Sequence, residues 1–184
     1  AGGKFASGFT NLVIGNTTSA GNLSVTGSAS FFDSVALLSS GNVTINSGAS
    51  VSTSKASGNL VVAAIGSFIN NAGSSALATT DSGSSDRWIV YSASPVGNTF
   101  GGLVSGNKAY WGTTYSSYPP ASVGAGKRYV FSNSPTITTT NAQKIYGDTI
   151  DLSTNYSLSG AYQTSAAAGT RIWMMGGFAG RTPS

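Results

Sequence analysis

The sequence predicts an all-β protein in which a parallel β-solenoid precedes an irregular aromatic region and a second β segment. Three observations favour this class. Ser, Gly, Ala, Thr and Asn fill 112 of the 184 positions, Glu is absent, and short alternating apolar segments recur between Gly residues. These small residues favour strands, caps and turns, whereas surface helices usually depend on Glu and other long side chains. We therefore expect short strands joined by many tight turns.

The first element is a repeat in which a Gly-Asn pair precedes a short alternating strand. Its copies lie at residues 21–25, 41–45 and 58–62, and a second Gly-led segment follows each copy. Each unit thus contains two short strands and two turns. A period of about 20 residues suits one coil of a parallel β-solenoid, in which each strand pairs with its counterpart one coil away. The alternative is a β-sandwich of antiparallel hairpins whose similarity is coincidental.

Equivalent side chains of successive coils are expected to stack inside the solenoid as apolar ladders. The expected ladders are Leu23, Val43 and Leu60 in one, and Val25, Ile45 and Val62 in the other. Neighbouring side chains of a strand point to opposite faces. Ser24, Thr44 and Val61 are therefore expected to face solvent.

The middle of the chain, residues 95–135, is rich in Gly and Tyr and contains no repeat. Its most prominent aromatic residues are Tyr110, Trp111, Tyr115 and Tyr118. A solenoid must hide the unpaired strand edges at its end, so these rings are expected to cap and plug that end. The alternative is a platform on which sugar rings stack.

Residues 87–95 read Arg-Trp-Ile-Val-Tyr-Ser-Ala-Ser-Pro and follow the repeats. This run resembles filamentous-haemagglutinin-type exoproteins, which are large surface adhesins exported by two-partner secretion. In that family a similar run lies near the end of a right-handed β-helix. A Gly/Tyr-rich stretch and a second aromatic strand ending in Pro commonly follow there, and residues 129–135 match that second strand.

Two later segments, residues 144–148 and 156–160, resemble parts of the Gly-rich Ig-like repeats, called MBG domains, of such exoproteins. The repeats and the resemblance together predict parallel β-helix coils over residues 1–94, a cap over 95–135 and an incomplete Ig-like (MBG-like) segment over 136–184. The fold class is thus all-β: a right-handed parallel β-helix, an irregular aromatic cap and an Ig-like or β-sandwich-like tail. Because the last segment is short for such a repeat, we expect a fragment, a processed product or a small relative.

The composition excludes several kinds of active site. The chain has no Cys and no His, so its own side chains supply no disulfide, no Ser-His-Asp triad and no His-ligated metal. Asp81 and Asp86 beside Arg87 are the obvious place for polysaccharide cleavage, but a polar turn with a weak surface ion pair also explains them. Asp148 and Asp151 are weak candidates for a calcium site, with turn formation as the alternative. We expect no enzyme activity, no required metal and no cofactor.

Charge and hydropathy limit the expected partners. The net charge is +4 with a pI near 9.5, and the cations are scattered along the chain. Nucleic-acid binding needs a clustered basic patch, so none is expected, whereas weak attraction to anionic glycans fits a scattered positive charge. The longest apolar run, residues 60–65, is far shorter than the roughly 20 residues of a membrane span.

The sequence therefore predicts an extracellular or cell-surface structural protein, a stiff solenoid rod of an adhesin or fibre. Its expected partners are further copies of itself or a larger surface protein. A first alternative is a filament subunit that polymerises head to tail by strand addition. The candidate assembly segments are residues 5–14 at the front and Ile172, Trp173 and Met174 at the back. A second alternative is a polysaccharide-binding or polysaccharide-cleaving β-helix protein.

Overall fold

The computed structural model describes residues 7–19, 21–80, 87–106, 108–139, 146, 156–159, 163–164 and 171–172. Within these ranges the chain forms sixteen strands and no helix. The strands are β1 (Asn11–Gly15), β2 (Leu23–Val25), β3 (Ser28–Phe31), β4 (Ser34–Ser39), β5 (Val43–Ile45), β6 (Ser50–Thr53), β7 (Leu60–Ala64), β8 (Phe68–Asn70), β9 (Leu77–Thr79), β10 (Trp88–Ser92), β11 (Ala109–Trp111), β12 (Arg128–Phe131), β13 (Thr136–Thr139), β14 (Tyr156–Ser159), β15 (Gln163–Thr164) and β16 (Arg171–Ile172). Among the described residues there is no helix of a length and hydropathy that would span a bilayer.

The first nine strands lie in three parallel sheets that the chain visits in turn. Sheet A has the strand order β1-β4-β7-β10-β12-β11, sheet B the order β2-β5-β8, and sheet C the order β3-β6-β9. We call one passage through the three sheets, such as β1 to β3, a circuit. After each circuit the chain returns to sheet A, and each new strand pairs in parallel with its counterpart in the preceding circuit. The all-β class and its parallel pairing are therefore confirmed.

The spacing between circuits in sheet A differs from the predicted period. Leu12 pairs with Val35, Val35 pairs with Leu60, and Leu60 pairs with Trp88. Each of these steps along the chain is longer than the predicted period, and the steps lengthen from the first to the last. A circuit needs this extra chain because it contains three strands where the repeat indicated two.

Of each predicted ladder, the structure contains only the first stacked pair. The pairs in sheet B are Leu23 with Val43, Val25 with Ile45, Val43 with Phe68, and Ile45 with Asn70. Leu60 and Val62 lie in sheet A instead, so their assignment to the ladders of Val43 and Ile45 is wrong. The Gly-Asn pair before Leu60 misled the alignment, because the residue that stacks on Gly41 is Gly66.

Burial explains why the repeat does not reveal sheet A as a separate sheet. Every residue of β4, β7 and β10 is buried. A strand buried on both faces forms a continuous apolar run and shows no alternation of apolar and polar residues. The repeat therefore finds strands of sheets B and C, and β7, the strand of sheet A that it includes, is grouped with sheet B by mistake.

One core cluster lies between the sheets and takes side chains from all three. Val35, Val43 and Val51 come from the three sheets of the second circuit, and each is 0% exposed. Leu23 and Val25 of the first circuit are only half-buried, because the end circuit of a stack is covered from one side only.

The three residues expected to face solvent behave differently from one another. Ser24 is exposed and Thr44 is half-buried. Val61 points away from the core between the sheets, as alternation requires, yet it is buried in a second apolar cluster. The expectation of solvent exposure is therefore wrong for Val61, because the outer face of sheet A is itself covered.

The corner before sheet B explains the repeated Gly-Asn pair. Asn22 Oδ1 accepts a hydrogen bond from the Asn42 N–H at 2.8 Å, and Asn42 Oδ1 accepts one from the Ser67 N–H at 2.8 Å. Each amide side chain therefore ties one circuit to the next. A Cβ atom on Gly66 would overlap Asn42 Oδ1, and the same overlap arises between Gly41 and Asn22. Glycine is needed where the asparagine of the preceding circuit lies against the backbone.

Pairing changes from parallel to antiparallel after β12. The strand β13 pairs with β14, and β15 pairs with β16, both in antiparallel register. Antiparallel pairs are the units from which β-sandwiches are built. The predicted division between the cap and an Ig-like tail stays a prediction, because most of residues 140–184 lies outside the described ranges.

Substitution of Gly66 by Ala tests the corner. We expect Gly66→Ala to lower the free energy of unfolding by about 2 kcal/mol, because the new methyl group displaces Asn42 Oδ1 from the Ser67 N–H. The matched control is Gly27→Ala, since a Cβ atom on Gly27 meets nothing within 4 Å. Urea unfolding followed by circular dichroism measures both. Equal losses of stability for the two variants contradict this account of the corner.

Candidate functional site

Sheet A carries a second apolar cluster on its outer face. The buried members of this cluster are Ala36, Leu38, Val61, Ala63, Ile89, Tyr91, Val123 and Val130. All but Val123 lie in four neighbouring strands of sheet A. Val123 belongs to residues 112–127, which connect β11 to β12 and which we call the cap segment. The cap segment therefore shields the outward side chains of sheet A from water.

Three tyrosines extend this cover. Tyr110, Tyr115 and Tyr118 are partly buried against the outer cluster, and the rings of Tyr91 and Tyr115 meet edge to face at 5.4 Å. Trp111 instead packs against the core between the sheets. The structure thus differs from the prediction that all four rings plug the end of the stack. Three of them cover the outer face of sheet A instead, because the strands of this sheet carry apolar side chains on both faces.

Other aromatic residues fill the interior beside β10 and β12. The ring of Tyr129 lies 5.0 Å from that of Trp88 and 4.8 Å from that of Phe100, both edge to face. The buried Tyr129 hydroxyl donates a hydrogen bond to the Leu103 carbonyl at 3.0 Å. Sequence reasoning missed this plug. The sequence does contain a signal for it. Two similar aromatic segments form β10 and β12, and these two strands pair in parallel, which brings their aromatic rings together.

Arg87, directly before β10, fastens the cap segment to sheet A. Its Nη2 donates to the carbonyls of Pro120 (2.7 Å) and Val123 (2.8 Å), and its Nη1 donates to the carbonyl of Gly124. Its Nε donates to Asn59 Oδ1 at 2.6 Å. Four of the five guanidinium N–H groups are thus used. Because the donor is charged, these bonds are stronger than neutral ones, and one side chain holds three carbonyls of the cap.

The phenol groups around the cap segment also form specific hydrogen bonds. The Tyr91 hydroxyl donates to the Tyr118 carbonyl at 2.9 Å, and burial raises the pKa of Tyr91. The Gly124 N–H donates to Tyr110 Oη at 3.1 Å, and this bond lowers the pKa of Tyr110 by stabilising its phenolate. The rings of Tyr110 and Tyr118 lie 5.1 Å apart at an angle of 41°.

An open cavity of 380 Å³ lies between the turn before β7 and the cap segment. Its lining residues are Ser57, Asn59, Arg87, Pro120, Ala121, Val123 and Ala125. One wall is therefore polar and the other apolar. Ser57 has a φ of 53° and is the one non-glycine residue with a positive φ in the described ranges. Backbone strain of this kind is often found at turns and binding sites.

Several predicted site residues lie outside the described ranges, namely Asp81, Asp86, Asp148, Asp151, Trp173 and Met174. Ile172 lies in the short strand β16. In the described part of the chain the acidic residue is Asp33, which accepts hydrogen bonds from the backbone N–H groups of Gly8 (3.2 Å) and Phe9 (3.1 Å). Within that part, no three acidic side chains come together as metal ligands.

Replacement of Arg87 by Gln tests the attachment of the cap segment. We expect Arg87→Gln to lower the free energy of unfolding by about 3 kcal/mol, because the carbonyls of the cap lose charged donors and the outer face of sheet A loosens. The same variant is expected to bind a hydrophobic dye. Lys108→Gln is the control, since it removes an exposed positive charge that lies outside the cap segment. If Arg87→Gln unfolds like the native protein, the cap does not depend on this side chain.

No known protein family, no curated protein and no solved structure matches this chain. The resemblance to filamentous-haemagglutinin-type exoproteins therefore rests on the residues that carry it, above all the run that begins at Arg87 and Trp88. In the structure these two residues fasten the cap segment and fill the interior, respectively.

Proposed function

We propose that the chain is a rod-forming part of an extracellular or cell-surface structural protein of the adhesin or fibre type. The observation that carries this proposal is the continuous stack of parallel strands around one apolar core. In each sheet the hydrogen bonds between circuits run across the strands, so every circuit is tied to the next through three sheets. A stack of this kind resists bending and stretching along its axis.

We further propose that the stack is a right-handed parallel β-helix. Sheets A, B and C are visited in a fixed order, and each return to a sheet is a parallel crossover connection. Such connections are right-handed in about 98% of proteins. The resemblance of residues 87–95 to the end of a β-helix in surface exoproteins supports the same hand and the same location outside the cell.

The outer face of sheet C fits a role in weak, repeated contacts. Ser50 Oγ donates to Ser28 Oγ at 3.1 Å, and Ser52 Oγ donates to Ser30 Oγ at 3.0 Å. These rows of hydroxyl groups are polar but uncharged, so contacts with them involve little desolvation of ions. Many such contacts along a rod add up through multivalency.

Arg87 bears on the alternative of polysaccharide cleavage. This alternative uses Arg87 as the cation beside Asp81 and Asp86. Four guanidinium N–H groups of Arg87 are bonded to carbonyl and amide oxygens, which favours a structural role over a part in chemistry. We therefore propose a protein without enzyme activity.

Immunolabelling of the source cells tests the proposed location and role. Antibodies against the folded chain should label intact cells, or a fibre released from them, as strongly as permeabilised cells. An antibody against a cytoplasmic protein serves as the control and should require permeabilisation. Labelling that appears only after permeabilisation overturns the proposal.

A filament subunit is the second candidate, favoured by the open face of the first circuit. Phe9, Val13 and Phe32 are 53%, 49% and 58% exposed, although all three are large and apolar. In the described ranges, β1, β2 and β3 each pair on one edge only. An unpaired strand edge is a template for a strand of another chain, and a contact of this kind that does not close gives fibres.

Light scattering over a range of protein concentrations tests this candidate. We expect polymers of the native chain, and we expect deletion of residues 1–10 or of residues 171–184 to abolish them. Val13→Lys should act in the same way, because a charge on an edge strand blocks pairing. Val96→Lys is the matched control, since Val96 is 62% exposed and lies outside the first circuit. A native chain that stays monomeric at high concentration removes the candidate.

A further inference from the structure

Three basic residues that are distant in sequence share the outer face of sheet A. Arg128 pairs with Ile89 across β12 and β10, and Ile89 belongs to the outer cluster. Arg87 precedes Ile89 by two residues and therefore lies on the same face. Lys108 precedes β11, where Ala109 pairs with Tyr129, so it lies beside Arg128 and is exposed. The fold thus brings these three cations together at one edge of the cap segment.

The two guanidinium groups approach the same point of the cap segment. Arg87 Nη1 donates to the Gly124 carbonyl. A Cβ atom on Gly124 would lie 3.7 Å from Arg128 Nη2 and 3.9 Å from Arg128 Nε. Neither arginine forms an ion pair with a residue in the described part of the chain, where Asp33 is bonded to the backbone of residues 8 and 9.

Two neighbouring positive charges destabilise each other. Burial lowers the pKa of Arg87, and the charge of Arg128 lowers it further. A bound anion would reverse the second effect. Arg128 is the better placed to hold one, because in the described part of the chain its contacts use only some of its five N–H groups: Nη1 donates to the Lys127 carbonyl, and the side chain also hydrogen-bonds the Tyr110 hydroxyl. The other N–H groups can donate to a carboxylate, with which a guanidinium forms strong charged hydrogen bonds.

Aromatic rings stand next to this edge. Tyr110 Oη would lie 2.9 Å from a Cβ atom on Gly124, and the ring of Tyr118 lies 5.1 Å from that of Tyr110. Both tyrosines are half-exposed. The face of an aromatic ring is negative and attracts the C–H groups of a sugar.

We propose that this surface, made of Arg128, Lys108, Tyr110 and Tyr118 with Arg87 behind them, binds a carboxylate-bearing saccharide. Arg128 and Lys108 bind the carboxylate, and the two tyrosines contact the face of the sugar ring. Arg87 adds positive charge and holds the cap segment in place. This inference rests on the adhesive part of the proposed function and names its ligand class.

Isothermal titration calorimetry with a pair of matched oligosaccharides tests the site. The probes are a hexamer of galacturonic acid and its fully methyl-esterified form, which has the same rings without the charges. We expect the acid to bind at least tenfold more tightly than the ester, and we expect the affinity for the acid to fall as salt concentration rises. Equal affinity for the two forms overturns the assignment of Arg128 and Lys108 to the carboxylate.

Single substitutions separate a specific site from general charge attraction. Arg128→Gln should weaken binding of the acid about tenfold, because the charged hydrogen bonds to the carboxylate are lost. Lys55→Gln removes one positive charge near the first circuit, where Lys55 Nζ donates to the carbonyls of Phe9 and Thr10, and should leave the affinity unchanged. Equal losses for these two variants show attraction by net charge alone and overturn the site.

A third substitution tests the rings. Tyr118→Ala should weaken the acid and the ester by the same factor, since both forms present the same sugar face. A Tyr118→Ala variant that binds both probes like the native protein overturns the role of the rings. Thermal melts establish that each variant is folded. Failure of every oligosaccharide to bind overturns the site but leaves the rod proposal intact, because that proposal is judged by labelling of intact cells.

Discussion

Parallel pairing between successive circuits is the constraint on which the rest of the structure depends. Each strand takes its hydrogen bonds from the circuit before and the circuit after it, so every position must fit the residue stacked on either side. Inward positions therefore become apolar ladders such as Leu23, Val43 and Phe68. At the corner before sheet B the same constraint gives the side chain of Asn42 a fixed place and leaves no room for a Cβ atom on Gly66.

The cap segment follows from the same constraint. Sheet A has six strands whereas sheets B and C have three each, and its strands are apolar on both faces. Without the cap segment, the outer face of sheet A would be a large apolar patch. Arg87, directly before β10, lies where its side chain can bond to the cap segment. The cost of partly burying its charge is offset by four oxygen acceptors. Arg128 lies on the same outer face and hydrogen-bonds Tyr110, and our proposal assigns its charge to a ligand.

The sequence shows the class of the fold and the first pairing of sheet B, between β2 and β5, because these depend on local alternation and on recurrent Gly-Asn corners. The stacking of Val25 on Ile45 needs no more information than that. It does not show that β4, β7 and β10 form a third sheet, because burial on both faces removes the alternation that marks a strand. It also does not show the site, since Arg87 and Arg128 are brought together by the parallel register of β10 and β12. In sheet A, β12 lies between β10 and β11, although β11 comes before β12 in the chain. The sequence gives no sign of this change of order.

The two ends of the stack differ, and this difference separates the two proposed roles. At the first circuit, Leu23 and Val25 are half-buried and large apolar side chains such as Val13 are exposed, so growth by pairing belongs there. At the other end, Tyr129 and its aromatic neighbours fill the interior, and the charges of Lys108 and Arg128 lie on the side of the stack. A ligand held on that side face does not compete with a strand added to the first circuit. The two proposals are therefore compatible: the proposed growth uses the first circuit, and the proposed binding uses the face beside the cap segment.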